Sequence, residues 1–274
     1  AEVKLMADFS RQSGRKVTFT LVQSPDYAPD TWERLLDMVV SANQTGAQLY
    51  PQVSSRPIGL ASGLSGYHAF QRRPTYMKLA HLSLADRARE MAKPEIKAAI
   101  MSETDVLVDQ PGSMANMYQL FQTAAMFLYP LADPVDYEPD PSEMLGSRAA
   151  ATGQDVLDLL YDYLLEQDGA AMCALMGGPN VHDSQEVLRK MLIHSETVTG
   201  LSDAGAHVTL ICDATMPTTQ LTFWARDRHK GERLPLEFLV AKQTARNADL
   251  YGLNDRGRLA VGLRADINVI DFEN

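Results

Sequence analysis

Asp203 ends an apolar, β-branched run, Thr197-Val-Thr-Gly-Leu-Ser-Asp-Ala-Gly-Ala-His207. Such a run reads as a buried parallel strand. It stops at Ser202-Asp203, and Gly205 follows as a breaker. The pattern sets a carboxylate at the C-terminal end of a strand, the edge where α/β folds gather ligands and catalytic groups. A carboxylate in a cleft there can act as a general base. It can equally be a helix N-cap that accepts free N–H groups of the next turn. His207, four residues on, either lines the same mouth or hydrogen-bonds within its loop. Asp213, in Ile211-Cys-Asp-Ala-Thr215, faces the site or caps the helix before Pro217.

Two further strand ends carry polar groups. Val17-Thr-Phe-Thr-Leu-Val-Gln23 and Leu49-Tyr-Pro-Gln-Val53 read as strands, and Arg56 lies in the exit loop Ser54-Ser-Arg-Pro57. Gln23 and Gln52 can hydrogen-bond an amide substrate, or supply plain loop polarity. Arg56 can hold a substrate carboxylate in a bidentate fork, or it can close a salt bridge at the rim or solvate the surface. A hydrolytic zinc site usually needs three protein ligands and one open position. His68, His81, His182, His194, His207 and His229 show neither H-x-H nor H-E-x-x-H spacing. Gly59-Leu-Ala-Ser-Gly-Leu-Ser-Gly66 is neither G-x-G-x-x-G nor a P-loop, and reads as a flexible loop. Cys173 sits on an apolar run as a small buried hydrophobe, with no recognisable histidine partner for nucleophilic catalysis.

The elements that must position these groups follow a repeating order. Asp30 is placed to cap a helix from Thr31 to Asn43, whose Trp32, Leu35, Leu36 and Val39 share one face. Strand, loop, helix and strand recur about every thirty residues, the spacing of parallel crossovers. Residues 60–150 read as a helical insertion, with helices over 82–91, 93–101 and 112–127 and a Pro/Asp-rich loop at Asp133–Ser142. An amphipathic helix is expected over 155–166, a strand over 171–176 with its exit turn at Gly177–Asn180, and helices over 184–193 and 234–250. The strands expected over 17–23, 48–53, 171–176 and 197–202 should then end on one face. This is an α/β chain of about four βα units, half of an eight-stranded barrel. Half a barrel leaves open sheet edges, so a partner is expected: the missing half, or a second copy.

The bulk numbers exclude several classes. The 274 residues are 45% hydrophobic, and a mean hydropathy of -0.19 fits a globular chain. A net charge of -10 argues against broad nucleic-acid or anionic-membrane surfaces. No apolar run is long enough to span a bilayer. Cys173 and Cys212 indicate no disulfide framework, so a reducing cytoplasm is the expected compartment. The chain opens on a helix rather than on Met, with no apolar leader segment, and is expected to be a piece of a longer polypeptide.

Downstream, Gly257-Arg-Leu-Ala-Val-Gly-Leu-Arg-Ala-Asp266 has the form G-x-L-x-x-G-x-x-A-D, and Asp136-Tyr-Glu-Pro139 precedes a helix. With the strand-end Asp203, these stretches resemble the amidohydrolase superfamily, and within it the N-acyl-D-amino-acid deacylases. The resemblance implies the C-terminal half of a TIM-like (β/α)8 barrel over residues 1–255, with 256–274 forming strand in a small β-domain. It implies a hydrolase of small-molecule C–N amide bonds, either N-acyl amino acids or cyclic amides, dependent on zinc or another divalent metal. Asp203 would take a proton from the attacking water, pass it to the leaving amine and touch the metal; Gln23, Gln52, Arg56 and His207 would contact substrate. Two departures stand out. Gln23 and Gln52 occupy strand ends where this family places histidines, and Val208 to Gln220 holds no Arg to receive a substrate carboxylate. The alternative is a non-catalytic barrel-half subunit or binding protein that has lost its metal ligands.

Overall fold

The computed structural model describes all residues of the chain except 24–26, 111, 178–183, 204, 206–209, 212 and 274. Its strands are Val17–Thr20 (β1), Leu49–Val53 (β2), Ile58–Gly63 (β3), Leu128–Pro130 (β4), Met172–Gly177 (β5) and Val198–Thr199 (β6). They form two three-stranded sheets, ordered β1-β2-β6 and β3-β5-β4. The chain divides into two compact units, one of residues 1–58, 178–204 and 213–274, the other of 59–177 and 205–212.

In the first unit β1 and β2 run parallel, from Val17 opposite Leu49 to Thr20 opposite Gln52. β2 then pairs in parallel with β6, Gln52 opposite Val198 and Val53 opposite Thr199. The helix Thr31–Gln44 supplies the crossover that a parallel pair requires. Alternation assigns the faces: Leu49, Pro51 and Val53 are buried, whereas Tyr50 and Gln52 are partly exposed. The apolar face packs on the helices Glu2–Ser13 and Thr31–Gln44, where Val3, Ala7, Val39, Ala42 and Leu49 form a core bordered by Val17 and Phe19. Burying each large aliphatic side chain contributes about 1.5–3 kcal/mol. A one-residue slip of β2 would drive Gln52 into that core, so the core fixes the register. On the other face Arg246 lies over the Tyr50 ring, 5.5 Å from its centroid. Farther along the strands Thr20 is exposed.

Lys242 ties down the turn that feeds β6. Its ammonium is buried and donates to His194 O at 3.0 Å, Thr197 O at 2.7 Å and Thr197 Oγ1 at 3.0 Å. Burial, with the Arg246 charge nearby, pushes its pKa down to about 7, while the three acceptors match its three N–H donors.

In the second unit β4 and β5 pair antiparallel, Leu128 opposite Leu175 and Pro130 opposite Cys173. This corrects the expectation that the 171–176 strand joins the parallel set: β5 lies between β3 and β4 in a sheet of its own. A single strand's apolar run specifies burial and not its neighbour, and the three-residue β4 is too short to be recognised in the sequence. The stretch from Gly59, expected as a flexible loop, is instead strand as far as Gly63. A Cβ on Gly63 would stand 3.0 Å from Met172 Cγ and 3.3 Å from Ala171 O, so the glycine permits the close approach that turns this segment into sheet. The expected 112–127 helix is broken into a 3-10 turn at Met114–Asn116, a helix at Tyr118–Thr123 and a second turn at Ala125–Phe127. The Val156–Leu165 helix forms as expected, with Asp155 Oδ1 accepting from the N–H groups of Leu157 and Asp158.

His68, in this second unit, is fully buried. Its Nδ1 accepts from the Phe70 N–H at 3.2 Å, and its ring meets Tyr76 edge-on with centroids 4.4 Å apart. Burial, reinforced by the Arg87 charge, lowers its pKa from 6.5 to about 3. Between these values the unfolded chain binds the additional proton, so the stability from neutral His68 is complete above pH 6.5 and is lost as pH falls toward 3. In urea unfolding, His68→Phe should therefore show a shallower loss of stability than the parent between pH 6.5 and pH 4. Equal slopes would refute this.

After the helix Ala245–Tyr251, residues 253–273 run as turns, bends and irregular chain, without helix or strand. The strand expected near Ile267–Phe272 has no ladder partner among the described residues, and strand backbone groups require one. Arg258 holds the segment back with a fork onto Asp249 at 2.8 and 2.6 Å. No helix among the described residues is long and apolar enough to cross a membrane.

Candidate active site

Parallel pairing brings the C-terminal ends of β1, β2 and β6 to one edge. Gln23 and Arg56 each lie three residues beyond their strands, Asp203 lies four beyond β6, and Gln52 is the penultimate residue of β2.

Gln23 is buried, its Oε1 accepting from the Trp32 N–H at 3.2 Å and its Nε2 donating to Ala28 O at 3.2 Å. It thus satisfies a free N–H in the first turn of the Thr31–Gln44 helix, the task expected of Asp30. Asp30 occupies the N-cap position without a side-chain cap, and pairs with Arg34 at 3.3 Å.

Gln52 Nε2 donates to Thr18 Oγ1 at 2.8 Å. Its Oε1 lies 2.8 Å from where a Cβ on Gly200 would stand, so a larger residue at 200 would require the Gln52 amide to shift. Gln52 thus touches Thr18 of β1 on one side and the backbone just past β6 on the other. Beyond Gly200 the backbone is strained: Leu201 has φ 65 and Asp203 φ 42. Left-handed backbone costs an L-residue about 1–2 kcal/mol and clusters at functional sites. Asp203 is exposed at the end of this turn. The next helical element among the described residues starts only at Asp213.

Arg56 and Asp213 form a buried ion pair, Nη1 to Oδ1 at 2.8 Å, with side-chain exposures of 2% and 1%. The same guanidinium donates to Pro57 O at 2.9 Å and to Thr215 Oγ1 at 3.1 Å. Ser55 adds two ties, its Oγ donating to Met216 O and its carbonyl accepting from Trp224 Nε1. Arg56 and Asp213 thus clamp the exit of β2 to the helix beginning at Met216. Of the sequence-derived candidates, His207 lies outside the described residues, as do His182, Cys212 and the Gly178–Asn180 part of the exit turn. The described residues contain no group of three His, Cys, Asp or Glu that could hold a metal ion. Cys173 is buried, and burial pushes its thiol up to about 12, which leaves it without nucleophilic thiolate at neutral pH.

Sequence reasoning missed Thr18 and Lys242. Thr18 was detectable from the phase of β1, which places it on the Gln52 face. Lys242 was detectable as a lone cation in an otherwise apolar helical stretch, Phe238-Leu-Val-Ala-Lys242.

Residues 3–274 match the profile described as the Amidohydrolase family. The chain belongs to the amidohydrolase family. Over 44 residues, 16% of this family member and 9% of its relative, it is 54% identical to an N-acyl-D-glutamate deacylase of Alcaligenes xylosoxydans xylosoxydans. A solved N-acyl-D-glutamate deacylase from Bordetella bronchiseptica, complexed with zinc and a phosphonate that mimics the tetrahedral intermediate, aligns over 96% of the chain at 14% identity and a TM-score of 0.41. The amidohydrolase chain covers 42% of that protein, less than half its length. The family resemblance drawn from Asp203 and the Gly257–Asp266 tail is thereby borne out.

Proposed function

We propose that this chain is the C-terminal half of a (β/α)8 amidohydrolase barrel, and that the assembled enzyme hydrolyses a C–N amide bond of a small molecule. The observation that carries the reading is Asp203: an exposed carboxylate on the strained exit of β6, at the C-terminal edge of a parallel sheet. Water adds to the amide carbon as Asp203 accepts its proton. The C–N bond then breaks as Asp203 delivers that proton to the departing nitrogen, giving a carboxylic acid and an amine. Gln52, held by Thr18, is placed to hydrogen-bond the substrate amide. Gln23 and Arg56 support it by fixing the two neighbouring loops, and His207 lines the mouth. The tail 256–274 pairs as strand in a small β-layer once its partner strands are present. Two cysteines, one of them the buried Cys173, suit a reducing cytoplasm.

The described residues do not make a centre for zinc or another divalent metal. Gln23 and Gln52 stand where imidazoles would serve, and Asp203 is a single ligand. In this reading the remaining ligands come with the other barrel half. The same absence among the described residues favours a second reading, a barrel half that binds or scaffolds without catalysis.

The two readings separate in one assay. The chain is purified alone, and also together with a polypeptide that completes the barrel, and both are supplied with zinc and offered N-acyl amino acids and cyclic amides. Turnover by the assembly and none by the chain alone is expected. Robust turnover by the isolated chain would overturn the assembly claim, and inactivity of both would favour the scaffold.

A further inference from the structure

The geometry points to a binding site for a small organic oxyanion, a phosphate ester in particular, at the N-terminal end of the β1-β2-β6 sheet. Gln52 and Asp203 stand at the other end of these strands. Lys16 immediately precedes β1, and the turn at His194–Thr197 leads into β6. Between that turn and the helices Leu236–Gln243 and Ala245–Tyr251 lies an open pocket of about 310 Å³, at the small end of the range for small-molecule sites. Arg246 lines it, with Nη2 donating to Ser195 O and the guanidinium set over the Tyr50 ring. Its Nε and Nη1 take no partner among the described residues. His194 adds a neutral donor. Burial lowers its pKa, and its Nδ1 accepts from the Glu196 N–H at 3.2 Å, so Nε2 carries the ring proton. The Ser195 hydroxyl also lines the pocket, and Ile193 and Phe238 give it an apolar flank.

Charge favours the same ligand. Arg258, also in the lining, forks Asp249 at 2.8 and 2.6 Å, and Lys16 donates to Asp249 O. The fork, with the Lys16 and Arg246 charges around it, holds the Asp249 carboxyl below the usual carboxylate range. Three cations, Lys16, Arg246 and Arg258, thus surround one carboxylate in a chain whose net charge is -10. Lys242 lines the pocket as well, but its donors are spent on the 194–197 turn. Glu196 and Asp37 act on His194 without lining the pocket, and Glu196 accepts from Asn43 Nδ2 at 2.7 Å. An oxyanion entering here meets a planar guanidinium with donors to spare, the geometry that matches phosphate and carboxylate oxygens. Its organic body rests on Ile193 and Phe238.

Ligand-detected NMR on the purified 274-residue chain tests this, with phenyl phosphate, inorganic phosphate and uncharged benzamide as probes. Phenyl phosphate should bind most tightly, inorganic phosphate more weakly, and benzamide not measurably at millimolar concentration. Added sodium chloride should weaken the phosphate probes, because salt screens these partly exposed charges. Arg246→Gln and Arg258→Gln should each weaken phenyl phosphate about tenfold or more, the usual worth of a charge-assisted hydrogen bond. Arg89→Gln, which removes a charge that is 73% exposed in the other compact unit, should leave binding unchanged. Urea titration checks that each variant folds; if Arg246→Gln does not, Arg258→Gln and Lys16→Gln decide, since both side chains are exposed. No binding of phenyl phosphate at millimolar concentration would overturn the inference. So would binding that the pocket variants leave unchanged or that Arg89→Gln weakens equally, or benzamide binding as tight as that of phenyl phosphate. Inorganic phosphate binding as tightly as phenyl phosphate would overturn the organic part of the assignment.

Discussion

Asp203→Asn should lower kcat of the assembled enzyme by about 10²–10⁴-fold, the usual contribution of a general acid–base group. The substitution is well matched to its position. Asp203 sits at φ 42, and Asn is among the few residues that tolerate left-handed backbone. No described residue forms an ion pair with Asp203, and exposed substitutions of this kind usually change stability by within about 0.5 kcal/mol. A fall in kcat with KM and the unfolding midpoint nearly unchanged would therefore report lost proton transfer. Steady-state kinetics beside a urea titration of the same preparation provides the measurement. Undiminished kcat in Asp203→Asn would remove Asp203 from the reaction.

The second large effect concerns stability. Asp213→Ala strips the partner from a guanidinium that is 2% exposed. Leaving such a charge buried and unpaired typically costs about 3–5 kcal/mol, a large share of a domain's total stability. The double substitution Arg56→Met with Asp213→Leu removes both charges and keeps much of the volume, so it should recover most of the loss. Urea midpoints of the parent, Asp213→Ala and the double variant decide it. If Asp213→Ala unfolds with the parent's midpoint, the pair does not clamp the β2 exit.

The parallel pair β1 and β2, with the crossover between them, was legible because alternation and helix periodicity span enough residues to register. The strand-end place of Asp203 was legible because a strand followed by Asp and Gly marks that position. Sheet membership was not legible for the strand at Met172–Gly177: its apolar run reports burial, and its neighbour Leu128–Pro130 is only a three-residue strand. Gln23 showed its strand-end place but not its bond to Trp32, since the two lie nine positions apart and only the folded backbone brings them together. Arg56 had substrate binding, a salt bridge and surface solvation open, and its buried pairing with Asp213, 157 residues away, could not be read from local sequence. Such a pairing depends on tertiary closure, which local spacing does not encode.

The C-terminal segment leaves several large apolar side chains bare. Leu259, Val261 and Val269 are 83%, 107% and 97% exposed, and their backbone lies outside any sheet. Bare apolar chain outside a sheet is a template for mispairing between copies. On the proposed reading, in which residues 256–274 pair in a β-layer once partner strands are present, the same apolar residues left bare would expose the chain to chaperone capture and degradation.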